Sequence, residues 1–248
     1  VADPQFAWGR RLLERLQLRG DETAIDAGCG SGRLTRLLAE RLPRGRVIAI
    51  DASEEMVEAT RRHLEPDFGA HVDYLRSDLL DLQLHGVADV VFSTATFHWI
   101  SDQSALYRRL AAALKHGGRL LAQMGGKGNI DRLRRRSETV MAQPDYQRFF
   151  AGWEVPWVYP DEETTRDRLE AAGFTRIEVE LFPEPTTFPD RDRFREFITA
   201  VNFRLHLQRI ASEPLQREFI ERIIEMAAHD DPPYTLDYWR LNLSGTRE

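Results

Sequence analysis

Short apolar runs alternate with amphipathic stretches through the first half of the chain. Residues 4–17 carry Phe6, Leu12, Leu13 and Leu16 at helical spacing and predict a helix. Residues 23–27 predict a strand, and Leu34, Leu37, Leu38 and Leu42 give one apolar face to a helix over 32–42. A second strand is expected from Arg46 to Asp51, around Val47-Ile48-Ala49-Ile50. Ser53 then stands as an N-cap to a helix that buries Met56, Val57 and Leu64. Val72 to Arg76 predicts a third strand. Ala88 to Ser93 is nearly all apolar, as a parallel strand covered on both faces is. A helix over 103–115, a turn at His116-Gly117-Gly118 and a fifth strand from Arg119 to Met124 complete the regular part.

Such alternation predicts an α/β fold, a doubly wound and mostly parallel sheet with helices on both faces. After the fifth strand the pattern loosens. Residues 130–142 read as a basic helix, and Pro144 to Pro160 holds Tyr146, Phe149, Phe150, Trp153, Trp157 and Tyr159. A helix over 162–172 ends at Gly173, and a strand follows over 175–182. Pro183, Pro185 and Pro189 mark a loop, and helices are expected over 190–211 and 214–228. Pro232-Pro233 leads into a last strand, Tyr234 to Leu243. The aromatics before Pro160 are interrupted by Gly152 and Pro156, so they form no helical stripe and suit a partly apolar acceptor pocket.

Composition narrows the partners. A net charge of −6 over 248 residues argues against a generic nucleic-acid binder. Cys29 is the single cysteine, which excludes an internal disulfide and argues against a cysteine-held metal; no metal is expected. No apolar run approaches the ~18 residues of a membrane span, and no secretory pattern is visible. A cytoplasmic protein, monomer or homodimer, with a small-molecule partner is the expectation. Arg132, Arg134, Arg135 and Arg136 read as a solvated helix face, with capture of an anionic carrier such as a phosphopantetheine group as the sharper alternative.

Thr23 to Arg33 carries the clearest chemistry. A strand runs into Asp26, and Gly28, Gly30 and Gly32 follow at alternate positions before a helix. Glycine admits positive φ and lets a ligand approach bare backbone. The helix start adds unpaired N–H groups and partial positive charge. A strand, glycine loop and helix in this order bind a nucleotide-like ligand at the strand's carboxyl end. A pyrophosphate fingerprint, G-x-G-x-x-G, would need glycine where Arg33 stands. Asp51 ends the second strand and can accept both hydroxyls of a ribose. That logic serves dinucleotides equally, and a glycine turn without any ligand is the plainest alternative.

The D-x-G-x-G-x-G spacing resembles that of class I S-adenosylmethionine-dependent methyltransferases. The resemblance implies a Rossmann-like seven-stranded sheet whose last strand inserts antiparallel beside the fifth. It implies one methyltransferase domain over 1–248, with 125–160 and 185–231 as helical cap insertions over the acceptor. The glycine loop with Asp26 and Cys29 would wrap the amino acid end and ribose of S-adenosylmethionine. Asp51, Ala52 and Met56 would hold the ribose side, and Ser77, Asp78 and Leu79 the adenine. Trp8, Ser93, Thr94 and Phe97 would complete the donor site.

Ser93-Thr94-Ala95-Thr96-Phe97-His98-Trp99-Ile100 is similar to the trans-aconitate and juvenile hormone acid methyltransferase groups, as are Phe6-Ala7-Trp8 and Trp157-Val158-Tyr159. Both groups methylate carboxylates, which implies methyl ester formation. His98 and Trp99 become the catalytic candidates, and Gln5, Trp99, Trp157, Tyr159 and Arg204 the acceptor contacts. His98 departs from the trans-aconitate group, which carries glutamine there. A carboxylate with pKa near ~4 needs no base. An O-, N- or C-methyltransferase of a natural product would use His98 as one. His98 as a structural residue is the third option, and a cofactor-binding regulatory subunit is the non-enzyme reading.

Overall fold

The computed structural model describes residues 4–248. In chain order its regular elements are α1 (Pro4–Glu14), β1 (Thr23–Ala27), α2 (Arg33–Glu40), β2 (Arg46–Asp51), α3 (Glu54–Phe68), β3 (Val72–Arg76), β4 (Ala88–Thr94), α4 (Gln103–Ala113) and β5 (Leu114–Gly125). Then come α5 (Asp131–Met141), α6 (Glu162–Ala171), β6 (Phe174–Pro183), β7 (Thr186–Thr187), α7 (Arg191–Phe197), α8 (Arg204–Arg209), α9 (Glu213–Ala227), β8 (Thr235–Leu236) and β9 (Trp239–Arg247). Several helices start where a short polar side chain caps them, whereas α2, α5 and α8 start without one. Ser53 Oγ accepts from Met56 N–H at 3.3 Å, Asp102 from Ala105 at 2.8 Å, and Asp161 from Thr164 at 3.0 Å.

The chain divides into two compact units. The larger comprises the residues up to 127, with 156–182 and 240–248. It holds a seven-stranded sheet in the order β3-β2-β1-β4-β5-β9-β6. β1 pairs in parallel with β2 and β4, while β9 runs antiparallel to β5, with Met124 opposite Leu241 and Gly125 opposite Arg240. This is the doubly wound sheet with an antiparallel closing strand that the sequence predicts.

Alternation along β4 builds the core on both faces. Val91 enters a cluster with Ile25, Leu106, Leu110 and Leu169. Val90 and Phe92 enter the opposite one with Leu12, Leu13, Leu38 and Val47. Strand order reverses between β1 and β4, so a crevice opens at their carboxyl ends, where sheets of this kind take ligands.

Three boundaries differ from the sequence reading. His116-Gly117-Gly118 makes no turn between helix and strand, because β5 already begins at Leu114. The extra residues are absorbed by a register shift opposite Ala88 and Val90. The expected helix over 190–211 is broken by a π-helical turn, Ile198–Asn202, between α7 and α8. The expected last strand splits. Thr235–Leu236 pairs with Thr186–Thr187 in a separate two-stranded sheet, and the main strand starts at Trp239.

The smaller unit comprises residues 128–155 and 183–239. Its centre is aromatic: His206 lies 4.7 Å from Trp153 and 4.9 Å from Phe203, centroid to centroid. Of the α5 arginines expected to form a solvated face, Arg135 is exposed and Arg134 half-buried, while Arg132 and Arg136 turn to acidic partners. Arg136 pairs with Asp230 and keeps 14% of its side-chain surface, while Arg132 reaches Asp230 and Asp237, each at 3.7 Å. Arg134 bridges Asp131 at 3.3 Å and Glu138 at 2.7 Å. These partners offset the charge of Arg132, Arg134 and Arg136, which weighs against capture of an anionic carrier, while Arg135 donates to Asp131 O at 3.3 Å. Among the described residues no helix is long and apolar enough to cross a membrane.

Candidate functional site

The glycine loop after β1 is held from below by its neighbours. Gly28 and Cys29 both donate to Ile50 O of β2, at 2.8 and 2.9 Å. The Asp51 carboxylate accepts from Gly30 N at 3.0 Å and from Ser53 N at 2.9 Å. Thr60 Oγ donates to Gly30 O at 2.7 Å. Asp51 therefore shapes the loop as well as facing the cleft.

Two glycines do different work. Gly28 has φ +89, and a Cβ there would fall 2.1 Å from Thr96 Oγ. Gly30 has φ +54, and a Cβ there would meet nothing within 4 Å. The first lets two chain segments touch, and the second leaves backbone open to whatever enters the cleft.

The cleft measures about 510 Å³, within the usual range for small ligands. Its floor is Asp26 with Gly28, Cys29, Gly30 and Ser31. One end is Asp51, Ala52, Ser77, Asp78 and Leu79, at the ends of β2 and β3. The other is Thr94, Ala95, Thr96, Trp99 and Ile100, after β4. Gln5 and Phe6 of α1 and Arg33 and Leu34 of α2 close the upper side. All of these residues belong to the larger unit.

Among the described lining residues, three carboxylates, Asp26, Asp51 and Asp78, share the cleft with one guanidinium, that of Arg33. Asp26 is 3% exposed. Burial pushes its carboxyl up to about 6, a hydrogen bond from Thr35 Oγ at 2.6 Å opposes this, and the charge of Asp51 adds to the rise. Such a cleft favours a ligand that carries positive charge. Cys29, buried with Sγ 3.6 Å from Thr60 Oγ, is pushed up to about 12 and is no nucleophile. Asp78 caps the short 3-10 turn Leu79–Asp81 by accepting from Leu80 N at 2.9 Å.

After β4 the chain makes a second short turn, Phe97–Trp99. Phe97 turns into the core against Tyr107, and Ser93 Oγ donates to Ala27 O at 2.6 Å; neither lines the cleft. His98 is 8% exposed and also stands outside the lining. Its Nδ1 accepts from Gly125 N–H at 3.4 Å. Burial, then the nearby Arg240 guanidinium, pushes the imidazole down to about 3. A neutral ring at that value is a weak base. Trp99, 43% exposed, does line the cleft, and Trp157 packs against it edge-on at 5.6 Å.

A buried amide ties this wall together. Gln103, 1% exposed, donates from Nε2 to Phe97 O at 3.2 Å and to Val158 O at 3.4 Å. Its Oε1 accepts from Arg168 at 2.7 Å, while Val158 N donates to His98 O at 2.9 Å. Residues 97–99 and 157–159 are thus one structural piece.

Of the residues expected from sequence, the lining contains Gln5, Asp26, Gly28, Cys29, Gly30, Asp51, Ala52, Ser77, Asp78, Leu79, Thr94 and Trp99. The others stand behind it or elsewhere. Gly32 caps α2 at φ +82. Met56 begins α3, and Trp8 is buried beneath the Arg240 guanidinium at 4.7 Å. Trp157 and Tyr159 stack around Trp99 and His98. Arg204 is exposed on α8 of the smaller unit. Sequence reading missed Phe6, Ser31, Arg33, Leu34, Ala95, Thr96 and Ile100. Arg33 had a signal, since it occupies the position where a pyrophosphate loop carries glycine. Thr96 had none, because its role depends on contact with Gly28.

Residues 24–118 match a family described as "Methyltransferase domain". Over 123 residues the chain is 35% identical to a trans-aconitate 2-methyltransferase of Azoarcus sp. (strain BH72), covering 50% of this chain and 47% of that one. The chain thus spans about half the length of that relative. A trans-aconitate 2-methyltransferase of Afipia carboxidovorans is 27% identical over 229 residues, 90% of this chain and 85% of that one. Among solved structures, a putative methyltransferase from Bacillus halodurans superposes with a TM-score of 0.69 at 16% identity, over 97% of this chain and 99% of that one. That last likeness is one of fold.

Proposed function

Because the chain belongs to the class I S-adenosylmethionine-dependent methyltransferases, we propose that it methylates a carboxylate oxygen of a small organic acid, giving a methyl ester. One observation carries the choice of acceptor: among the described residues lining the cleft there is no histidine, lysine or tyrosine, and its carboxylates, Asp26, Asp51 and Asp78, are those the donor's positive centres, ribose and adenine take up. The nearest imidazole, His98, is buried and pushed down to about 3. A carboxylate acceptor is already anionic at neutral pH and needs no proton removed. Hydroxyl, amine and carbon acceptors need a base at some stage.

The residues present fit the donor. Gly30 offers open backbone, and Asp51 and Asp78 stand at the ends of β2 and β3 for ribose hydroxyls and an adenine amino group. Asp26 supplies negative charge below the loop for a sulfonium and an ammonium. When bound, S-adenosylmethionine supplies an electrophilic methyl on a positively charged sulfur. The protein's part is proximity and orientation, worth ~7–11 kcal/mol in well-aligned reactions. Trp99, with an indole N–H that donates and never accepts, orients the acceptor oxygen from the exposed side. The trans-aconitate relatives are named for methylating a tricarboxylic acid, which supports the same acceptor class here.

The test is incubation with methyl-labelled S-adenosylmethionine and a panel of small mono-, di- and tricarboxylic acids, followed by alkaline treatment of the product. Ester label is released by base. Base-stable label would mark an ether, N-methyl or C-methyl product and overturn the reading.

A further inference from the structure

We infer that Arg168 on α6 is a positioning residue of the acceptor wall: through the Gln103 amide it fixes where Trp99 and Trp157 stand. The inference rests on the reading above in one respect, that the Trp99 end of the cleft is the acceptor's. Neither Arg168 nor Gln103 lines the cleft, and both belong to the larger unit, as do the wall residues.

Gln103 is the first residue of α4, directly after the Asp102 cap, and is 1% exposed. The two ends of a primary amide are nearly alike in shape, so packing by itself lets oxygen and nitrogen exchange places. Partners that can play a single role remove that freedom. Phe97 O and Val158 O, at 3.2 and 3.4 Å, accept and never donate, so they require the amide nitrogen. The Arg168 guanidinium, at 2.7 Å, donates and never accepts, so it requires the oxygen. Its bond is charge-assisted and is the shortest of the three, so Arg168 holds the amide at its firmest point.

The two carbonyls belong to the segments that carry the wall. Phe97 anchors its turn edge-on to Tyr107 at 6.1 Å, and Trp99 follows two residues later. Val158 lies between Trp157 and Tyr159, and its N–H donates to His98 O at 2.9 Å. Trp157 meets Trp99 with ring planes 78° apart. Of these rings, the one that lines the cleft is Trp99. A chain of contacts therefore runs from a half-buried cation on α6, through one amide and two carbonyls, to the indole that faces the acceptor.

Fluorine NMR on protein carrying fluorotryptophan and saturated with S-adenosylhomocysteine reads this chain directly. The Trp8, Trp99 and Trp157 lines are assigned by single Phe substitutions. Arg168→Met removes the donor and keeps the length of the side chain, and Arg168→Lys keeps a donor. Arg166→Met is the control, because it breaks a bond of the same kind on the same helix, to Ile177 O at 2.9 Å. Arg168→Met should move or broaden the Trp99 and Trp157 lines and spare that of Trp8. Arg168→Lys should recover most of the change, and Arg166→Met should leave all three lines in place. The same variants are assayed with labelled S-adenosylmethionine on benzoate, succinate and trans-aconitate. For any acid that the wild type esterifies, Arg168→Met should raise KM by at least about tenfold, the scale of a charge-assisted hydrogen bond. Affinity for S-adenosylhomocysteine should stay within about twofold. Trp99 and Trp157 lines that stay in place in Arg168→Met, or move as far in Arg166→Met, overturn the positioning role. So does a loss of nucleoside affinity that matches the rise in KM. Failure of the wild type to esterify any of the three acids counts against the acceptor reading alone, and the tryptophan lines still decide the positioning.

Discussion

The two ends of the cleft are built by different means. The end around Gly28, Gly30, Asp51 and Asp78 is made of backbone and carboxylates from strand ends, and hydrogen bonds to the adjacent strand fix it. The end around Trp99 is backed by the aromatic side chains of Trp157 and Tyr159, and one buried amide, Gln103, joins it to a segment 55 residues away. The first is suited to one ligand whose shape does not vary. The second has packing as its main constraint, and packing tolerates substitution if volume is kept. Donor recognition is therefore written into local geometry, and acceptor recognition into side-chain choice.

The sharpest contrast comes from the glycines. Gly28→Ala places a methyl 2.1 Å from Thr96 Oγ at positive φ, and is expected to cost several kcal/mol and abolish binding together. Gly30→Ala meets no protein atom. It should cost only ~1 kcal/mol of backbone strain, yet weaken S-adenosylhomocysteine by more than about tenfold, because its methyl enters the cleft. Thermal melts and calorimetry on the pair separate the two effects; equal stability losses would break the distinction.

Asp26 gives the next largest effect, with a sign that can be worked out. Its folded value of about 6 lies above the ordinary 3.8, so the empty protein loses stability as pH rises from about 4 to about 6. A cationic ligand favours the ionised form, so affinity for it falls as pH drops through about 6. Asp26→Asn should raise the melting temperature of the empty protein at pH 8, weaken S-adenosylmethionine by about tenfold or more, and flatten the pH dependence of binding. Unchanged affinity would remove Asp26 from the donor site.

Gln103→Glu keeps an oxygen for Arg168 but turns a second one toward Phe97 O and Val158 O. A loss of about 1–3 kcal/mol is expected, because Val158 O loses this donor and a carboxylate oxygen is set against both carbonyls, although Phe97 O keeps its bond from Ile100 N at 3.1 Å. The acceptor KM should rise while S-adenosylhomocysteine affinity stays within about twofold. A matching loss of nucleoside affinity would mean the two ends are not separable. The smallest effect belongs to Arg134→Ala on α5, whose exposed ion pairs are worth no more than ~1 kcal/mol. Urea melts should scarcely move.

What could be read from the sequence follows the same division. The glycine spacing, Asp51 at a strand end and the nearly all-apolar run from Ala88 to Ser93 are contiguous patterns, and each maps onto the structure as read. Gln103 looked like one more residue in the first turn of a helix, since nothing nearby in sequence says that it reaches Val158. His98 is a catalytic candidate in the sequence, but its burial outside the cleft lining and its bond from Gly125 on β5 come from residues distant in the chain. Arg132 and Arg136 of α5 read as solvated because Asp230 and Asp237 lie about 100 residues away in the chain. The break between α7 and α8 left no proline or glycine to announce it.

The most direct measurement is kcat for His98→Gln beside the wild type, on the carboxylic acid that the labelling experiment identifies, with S-adenosylmethionine saturating. Glutamine is of similar size, can still accept from Gly125 N–H and cannot act as a base. Methyl transfer to a carboxylate without proton removal predicts a kcat within about fivefold of the wild type. A fall beyond about 100-fold in a variant that still folds and binds S-adenosylhomocysteine, the scale of a lost general base, would contradict it.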